Sequence, residues 1–466
     1  MTLNNLEPKN VFHFFEELTR IPHGSGDMAA VSGWVTDFAG KRGLRYRQDS
    51  MGNVVIWKDA SPGYEDHPAV ILQGHLDMVC VKDPGVEHDF HSDPLTLVLD
   101  GDWLKAEGTT LGGDDGAAVA YMMAVLDDDT IPHPPLEAVF TVDEEIGLLG
   151  AAGLDCSDLK GRLLINLDSE EEGVFTVGCA GGARCDLERA LPVGSVSGDV
   201  CTLSVSGLPG GHSGAEIHKN IPNANRVLAE CLRQLPGARL VSLHGGEQDN
   251  AIPSQAQAEF VLPTGQASDV VSKIGEALGH ASYSFTSASR TVQNALSAAD
   301  TCKAVELILA APNGVQAMEP DLPGQVKTSL NLGILRLKDG ALRLTWSVRS
   351  SVEAEKEALV QKLQALADGW GASLSRRGDY PAWAYRSDSV LRETMVRVYR
   401  EQTGKDPVVM TIHAGLECGL LSEKLPRLDA VSIGPDMRDI HTSRERISVS
   451  SVQRTWKFLL AVLAEL

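Results

Sequence analysis

Residues 69–79 read AVILQGHLDMV, an apolar run that breaks into a histidine and an aspartate two positions apart. A lone histidine beside such a run is ordinarily a hydrogen-bonded structural residue, so the meaning of His75 and Asp77 depends on what the other strands of the chain end in. Comparable runs lie at 54–57 (VVIW), 136–142 (LEAVFTV) and 162–167 (RLLINL). Helices are predicted at 8–20, 28–43 and 116–128, the last (GAAVAYMMAVLDD) with the length and apolar spacing of a buried helix. Apolar strands alternating with helices predict an α/β fold, a doubly wound and mostly parallel sheet covered on both faces, over residues 1–183.

The texture changes at about residue 184. ARCDLERALPVGSVSGDVCTLSVSG alternates polar and apolar residues between turn residues, a helix is predicted at 222–235, and a polar segment near 285–298 leads to the alternating ALRLTWSVRSSV at 341–352. Residues 184–383 therefore read as an inserted α+β domain. Residues 384–466 return to helix and strand of the first kind, which makes the first domain discontinuous.

The strands of that first domain share one habit. Glu144 and Glu145 follow AVFTVD, Asp168 follows LLINL, His441 lies in the loop after AVSIGP, and the loop TTLGGDDG brings Asp114 and Asp115 to the mouth of a helix. In an open α/β sheet the carboxyl ends of the strands form one edge where ligands bind, so these residues can converge across long sequence separations. Two imidazoles and several carboxylates in one cleft make a nitrogen and oxygen donor set suited to zinc or manganese. A phosphate cradle is the competing reading of GTTLGGDDG, but its two carboxylates would repel the anion. DEE at 143–145 resembles a solvated acidic turn; beside other carboxylates it needs a cation, because like charges raise one another's pKa.

Composition excludes other classes. The chain has 466 residues, 43% hydrophobic, enough for two or three packed domains. Its formal charge of −22 argues against a nucleic-acid backbone or an anionic membrane as partner. The opening MTLNNLEPKN lacks a basic region followed by an apolar one, and FLLAVLAEL near the C-terminus falls short of a membrane span. The cytoplasm is the expected location. The eight cysteines are scattered without a C-x-x-C pair, which speaks against both a disulfide framework and a thiolate metal site.

In order along the chain, LQGHLDMV, GTTLGGDDG, DEEIGLLGA, INLDSEEEG, GLPGGHSGAEIH, NAIP, IHAGLECGLL and VSIGP with a following histidine resemble the aminoacyl-histidine dipeptidases (peptidase D, Xaa-His dipeptidase), a branch of the dizinc aminoacylase and carboxypeptidase clan. The matches run from about residue 20 to 455. The resemblance implies a catalytic domain interrupted by a lid, here residues 184–383. It also implies two divalent metal ions per chain, zinc with manganese or cobalt as substitutes, and a small peptide as substrate. Carried over, it makes His75, Asp114 and Asp168 the ligands of one ion and Asp114, Glu145 and His441 those of the other, with Asp115 as the competing choice in the DDG doublet. Asp77 would orient the His75 imidazole, Glu144 would be general base, and His212 would donate to the developing oxyanion. Asn250 and Arg349 would hold the substrate backbone and its terminal carboxylate. Glu417 receives no role.

The chain departs from the pattern in two places. DDG stands where relatives carry Asp-Asn, adding a negative charge, and HTSRERIS stands where they carry a Ser-Pro-Asp-Glu run after the last metal histidine, exchanging acidic for basic residues at the rim. The function these residues imply is hydrolysis of unblocked dipeptides, with an Xaa-His (carnosine-like) preference. The alternatives are an N-acyl amino acid amidohydrolase with the same metals and, in a different class, a non-catalytic peptide-binding protein. Oligomeric state is left open between monomer and homodimer.

Overall fold

The computed structural model describes residues 3, 5–320 and 322–466. The chain forms two compact units: the first comprises residues up to Gly178 with Tyr385–Thr411 and Leu416–Leu466, the second Cys179–Ala384 with Ile412–Gly415. Each has its own hydrophobic core.

The first unit is the expected α/β sheet. Its eight strands run in the order Arg45–Gln48, Val54–Lys58, Leu136–Thr141, Val70–His75, Leu163–Asn166, Asp429–Ser432, Val174–Cys179, Val408–Ile412. The four central strands, Leu136–Thr141 to Asp429–Ser432, are parallel to one another, while Arg45–Gln48, Val54–Lys58 and Val174–Cys179 pair antiparallel at the flanks. Val70–His75 is buried at every position, as a strand covered on both faces must be. The helix Gly113–Asp127 is buried from Gly113 to Leu126, which suits a segment that is apolar all round. It lies directly on the end of the central strand because residue 74 is glycine. A Cβ there would come within 2.5 Å of the Ala118 Cβ and 2.6 Å of Asp115 Oδ2.

A small four-stranded sheet places the last predicted ligand. Its order is Met437–Arg438, Arg446–Ser448, Trp103–Ala106, Leu97–Asp100. The first two form a hairpin whose loop, residues 439–445, carries His441.

The second unit is built on nine strands in the order Ser282–Leu296, Val193–Ser206, Ala256–Leu262, Arg239–Gly245, Val326–Lys338, Ala341–Ser350, Gly181–Ala190, Ser373–Tyr380, with Gly314–Met318 also paired to Val326–Lys338. The polar stretch expected near 285–298 is mostly the edge strand Ser282–Leu296, paired along Val193–Ser206 on one side and largely exposed on its faces, which explains its lack of an apolar period. The helices Ala224–Arg233, Val270–Leu278, Ala298–Ala310 and Glu353–Trp370 contribute to this core.

The units divide a few residues away from the expected 183/184 boundary. Gly181–Ala190 pairs with Ala341–Ser350 from its first residue, Gly181 opposite Ser350, so the chain has joined the second sheet by then. Ile412–Gly415 lies inside the stretch assigned by sequence to the first domain, yet it belongs to the second unit: the Ala180 amide donates to the Ile412 carbonyl at 3.1 Å, and His413 meets Ser329. Among the described residues no helix is long and apolar enough to cross a membrane, and none of the cysteines forms a disulfide.

Candidate metal centre

The predicted ligands converge at the carboxyl edge of the parallel strands of the first unit. Asp114 stands between the two histidines: His75 Nε2 is 3.1 Å from its Oδ1 and His441 Nε2 is 3.2 Å from its Oδ2. His441 Nε2 is also 2.9 Å from Glu145 Oε1, and His75 Nε2 is 3.8 Å from Asp168 Oδ1. One donor atom each of His75, Asp114 and Glu145 lie within 4.8 Å of one another, and so do those of His75, Asp115 and Asp168. The compact group around Asp168 is thus completed by Asp115, the second member of the doublet. Asp115 Oδ2 accepts the His75 amide at 3.1 Å, while its Oδ1 is buried without a partner.

Asp77 has a task that its sequence position does not announce. His75 Nδ1 lies 3.0 Å from the Asp77 backbone carbonyl and 3.5 Å from the carboxylate, so the carbonyl is the nearer partner that orients the imidazole. The carboxylate accepts the amides of Glu144 (2.9 Å) and Glu145 (3.2 Å) and the Ser25 hydroxyl (2.8 Å). It thereby fixes the turn that presents the glutamate doublet.

The electrostatics call for a cation. Asp115 and Asp168 are held well above the usual carboxylate range by burial and by neighbouring carboxylates, and Glu144 is pushed up to about 8, first by burial and then by Glu417 and Glu145. Asp114 is held low although burial opposes it, because both histidines hydrogen-bond it. His441 is raised to about 10 by Asp114 and Glu145. Carboxylates this close and this buried repel one another, and a bound cation relieves that repulsion. Two imidazoles and at least four carboxylates, with a buried orphan oxygen on Asp115, are a donor set that can hold metal ions.

A second cluster lies within the second unit. Arg349 is 8% exposed; its Nη1 donates to the Tyr380 hydroxyl at 3.0 Å, its Nε is buried without an acceptor, and among the described residues no carboxylate pairs with it. The Tyr380 ring occupies the space over Gly182, where a Cβ would come within 2.4 Å of it. Opposite Arg349 on the adjoining strand is Ser329, whose Oγ is 2.7 Å from His413 Nε2. Burial, then Arg349, depresses His413 to about 3, so this ring is neutral. His212 is exposed, and its Nδ1 accepts the amides of Gly214 (3.3 Å) and Ala215 (3.1 Å), which puts the proton of the neutral ring on Nε2. Burial and Arg349 lower its pKa. Asn250 sits in a loop held by Asn331, whose Nδ2 donates to the carbonyls of Asp249 (3.1 Å) and Ala251 (2.8 Å) on either side.

Residues 71–465 match the family model described as peptidase family M20/M25/M40. The chain belongs to this peptidase family. It is 35% identical to the cytosol non-specific dipeptidase of Escherichia coli (strain K12), over all of this chain and 99% of that one. Among solved structures, aminoacylhistidine dipeptidase from Vibrio alginolyticus is 33% identical with a TM-score of 0.94, covering all of this chain and 98% of that one. An aminopeptidase, PepT, from Bacillus cereus shares the fold at 17% identity and a TM-score of 0.58, with 99% of each chain covered.

Two buried acids of this M20/M25/M40 peptidase have no place in the sequence reading. Glu417, given no role there, lies beneath the centre: its Oε2 accepts Gln73 Nε2 (2.5 Å) and the Thr141 hydroxyl (2.6 Å), and Gln73 Oε1 accepts Asn166 Nδ2 (2.7 Å). These bonds tie together the ends of three strands that carry ligands, and burial pushes Glu417 up to about 7. Glu445 was read as part of a basic rim. It is 3% exposed and points inward, four residues beyond His441. Of the two arginines in that stretch, Arg444 is exposed and Arg446 is half-buried.

Proposed function

We propose that this chain is a dizinc dipeptidase of the cytoplasm that hydrolyses unblocked dipeptides, Xaa-His among them. The observation that carries the proposal is the arrangement around Asp114: an aspartate between two histidines, Glu145 on His441, and Glu144 beside them without a histidine contact. His75, Asp114 and Asp168 would hold one ion and Asp114, Glu145 and His441 the other, with Asp115 placed to serve beside Asp168. Bound divalent ions supply Lewis acidity toward a carbonyl oxygen and acidify water toward a pKa of ~7. The substrate class is supported by the names of the full-length relatives, one a non-specific dipeptidase and one an aminoacylhistidine dipeptidase.

The chain's own residues divide the remaining work. Glu144, which pairs with neither histidine, takes the proton of the attacking water and returns it to the leaving amine. His212 donates from Nε2 to the oxyanion, since its Nδ1 is committed to two amides. Arg349 pairs with the terminal carboxylate and Asn250 binds the substrate backbone, so that the second unit has the role of a substrate-binding lid. An N-acyl amino acid amidohydrolase would use the same metals.

Metal-stripped protein assayed on dipeptides and N-acetyl amino acids, with and without Zn²⁺, Mn²⁺ or Co²⁺, tests this reading. Dipeptide hydrolysis should vanish on chelation and return with about two ions per chain. Full activity in metal-free protein would end the reading, and preference for the N-acetyl compounds would shift it to the amidohydrolase.

A further inference from the structure

Four consecutive backbone amides converge on the side chain of Glu445. Its Oε2 accepts from Leu111 (2.8 Å) and Gly112 (3.1 Å), and its Oε1 from Gly113 (2.7 Å) and Asp114 (3.3 Å). Successive amides around one anion form a nest. This nest is not simply the free first turn of a helix, because Asp114 (φ −86°, ψ 104°) and Asp115 (φ −115°, ψ 33°) lie outside helical geometry.

The clamp joins two loops that each carry a predicted ligand. One is the loop of Asp114, whose own amide is among the four donors. The other is the hairpin loop 439–445, which carries His441 and turns tightly back, with the Glu445 amide on the Thr442 carbonyl at 3.1 Å. The backbone there is held in the left-handed region at Asp439 (φ 55°) and His441 (φ 59°), which residues other than glycine adopt only when their surroundings impose it. The Asp114 amide bonds Glu445, the chain runs from Glu445 back to His441, and His441 Nε2 returns to Asp114 Oδ2. The ring is closed, so the separation of the two side chains is set by protein alone.

We infer that Glu445 is a positioning residue of the metal centre: through the four amides it fixes Asp114 against His441 before any ion arrives. This rests on the metal reading of the site given above. A carboxylate is required, because four donors need two oxygens with two lone pairs each. Glutamine offers one oxygen and turns an NH₂ group toward the other two amides. Arg444, the neighbouring basic residue, takes no part in the clamp.

The test uses the full chain as Glu445→Gln and Glu445→Ala, stripped of metal and titrated with Co²⁺ against a chelator. Its readouts are occupancy, the visible Co²⁺ spectrum, kcat and KM on a free dipeptide, and the metal-free unfolding midpoint. Glu445→Gln should fold, bind one of two ions about 10- to 100-fold more weakly, as loss of a supporting hydrogen-bond partner does elsewhere, and show an altered spectrum. kcat should fall by a similar factor while KM changes less than about threefold, the pattern of lost transition-state stabilisation. Added acetate should restore Co²⁺ binding to Glu445→Ala by entering the vacated nest. Unchanged Co²⁺ affinity and spectrum in Glu445→Gln, with only a lower unfolding midpoint, would overturn the inference, as would failure of both variants to fold. Absence of Co²⁺ binding by the parent protein would instead sink the metal reading itself.

Discussion

Replacing Arg349 by methionine removes a guanidinium that is 8% exposed and has one neutral partner, the Tyr380 hydroxyl. A buried charge without a counter-charge is costly, and a substrate carboxylate is what this one lacks. Removing one partner of a buried, hydrogen-bonded charge pair costs ~2–5 kcal/mol. Tyr380 already occupies one of the five N–H donors, and a carboxylate engages at most two others, so the expected loss lies near the middle. About 3 kcal/mol corresponds to roughly 150-fold in kcat/KM. Methionine keeps most of the apolar stem, which limits the loss of packing. The native enzyme should lose a similar factor on a C-terminally amidated dipeptide, and the two losses should not add, because each removes the same contact. Arg349 also helps to hold His212 and His413 neutral, so the cycle belongs at pH 8, where both rings are neutral with or without it. If amidation is harmless, or if its penalty persists undiminished in Arg349→Met, the carboxylate is held elsewhere and the dipeptidase proposal weakens toward a broader amidohydrolase.

Glu144→Gln should retain both metals and dipeptide affinity while lowering kcat by at least ~10²-fold, the low end for general base catalysis, whereas Glu145→Gln should weaken one metal; metal analysis and steady-state kinetics on the two variants check the assignment, and the opposite result reverses the doublet. Glu417→Gln should stabilise the metal-free protein in a pH-dependent way. The native carboxyl is raised from 4.5 to about 7, so its contribution is fully present below pH 4.5, is lost as pH rises through 7, and amounts to about 3 kcal/mol. Urea unfolding at pH 4 and pH 8 should show the variant gaining on the parent by that amount between the two; an equal difference at both values would refute the raised pKa.

The sequence discloses the centre because strand chemistry and ligand chemistry are adjacent in the chain. VILQGH and LLINLD are apolar runs that end in donors, and the parallel sheet brings those ends together by topology alone. Glu417 and Glu445 left no such trace. Glu417 meets Gln73 across 344 positions and Glu445 meets Leu111 across 334, and nothing local distinguishes a buried carboxylate that receives four amides from one solvated at a rim. In HTSRERIS the flanking arginines even suggest the rim. The same limit hid the position of Ile412–Gly415, whose placement in the second unit depends on partners at Ala180 and Ser329. The edge strand Ser282–Leu296 was obscure for another reason: with its faces exposed, it has no burial pattern to leave an alternation.

The glutamate doublet shows how far residue type determines role and where geometry must take over. Glu144 and Glu145 are chemically identical neighbours, and either could be ligand or base. The Asp77 carboxylate holds both of their amides, and with that turn fixed the two side chains diverge. Glu145 reaches His441 at 2.9 Å, the company of a ligand. Glu144 is paired with neither histidine and is surrounded by Glu417, Glu145 and Asp114, which together with burial raise it to about 8. A carboxyl without a histidine partner is left free to act as base, while the one that meets His441 stands where a ligand must. The division of labour thus originates in Asp77, whose carboxylate lies 3.5 Å from the His75 imidazole and, by holding two backbone amides, also decides where each glutamate of the doublet points.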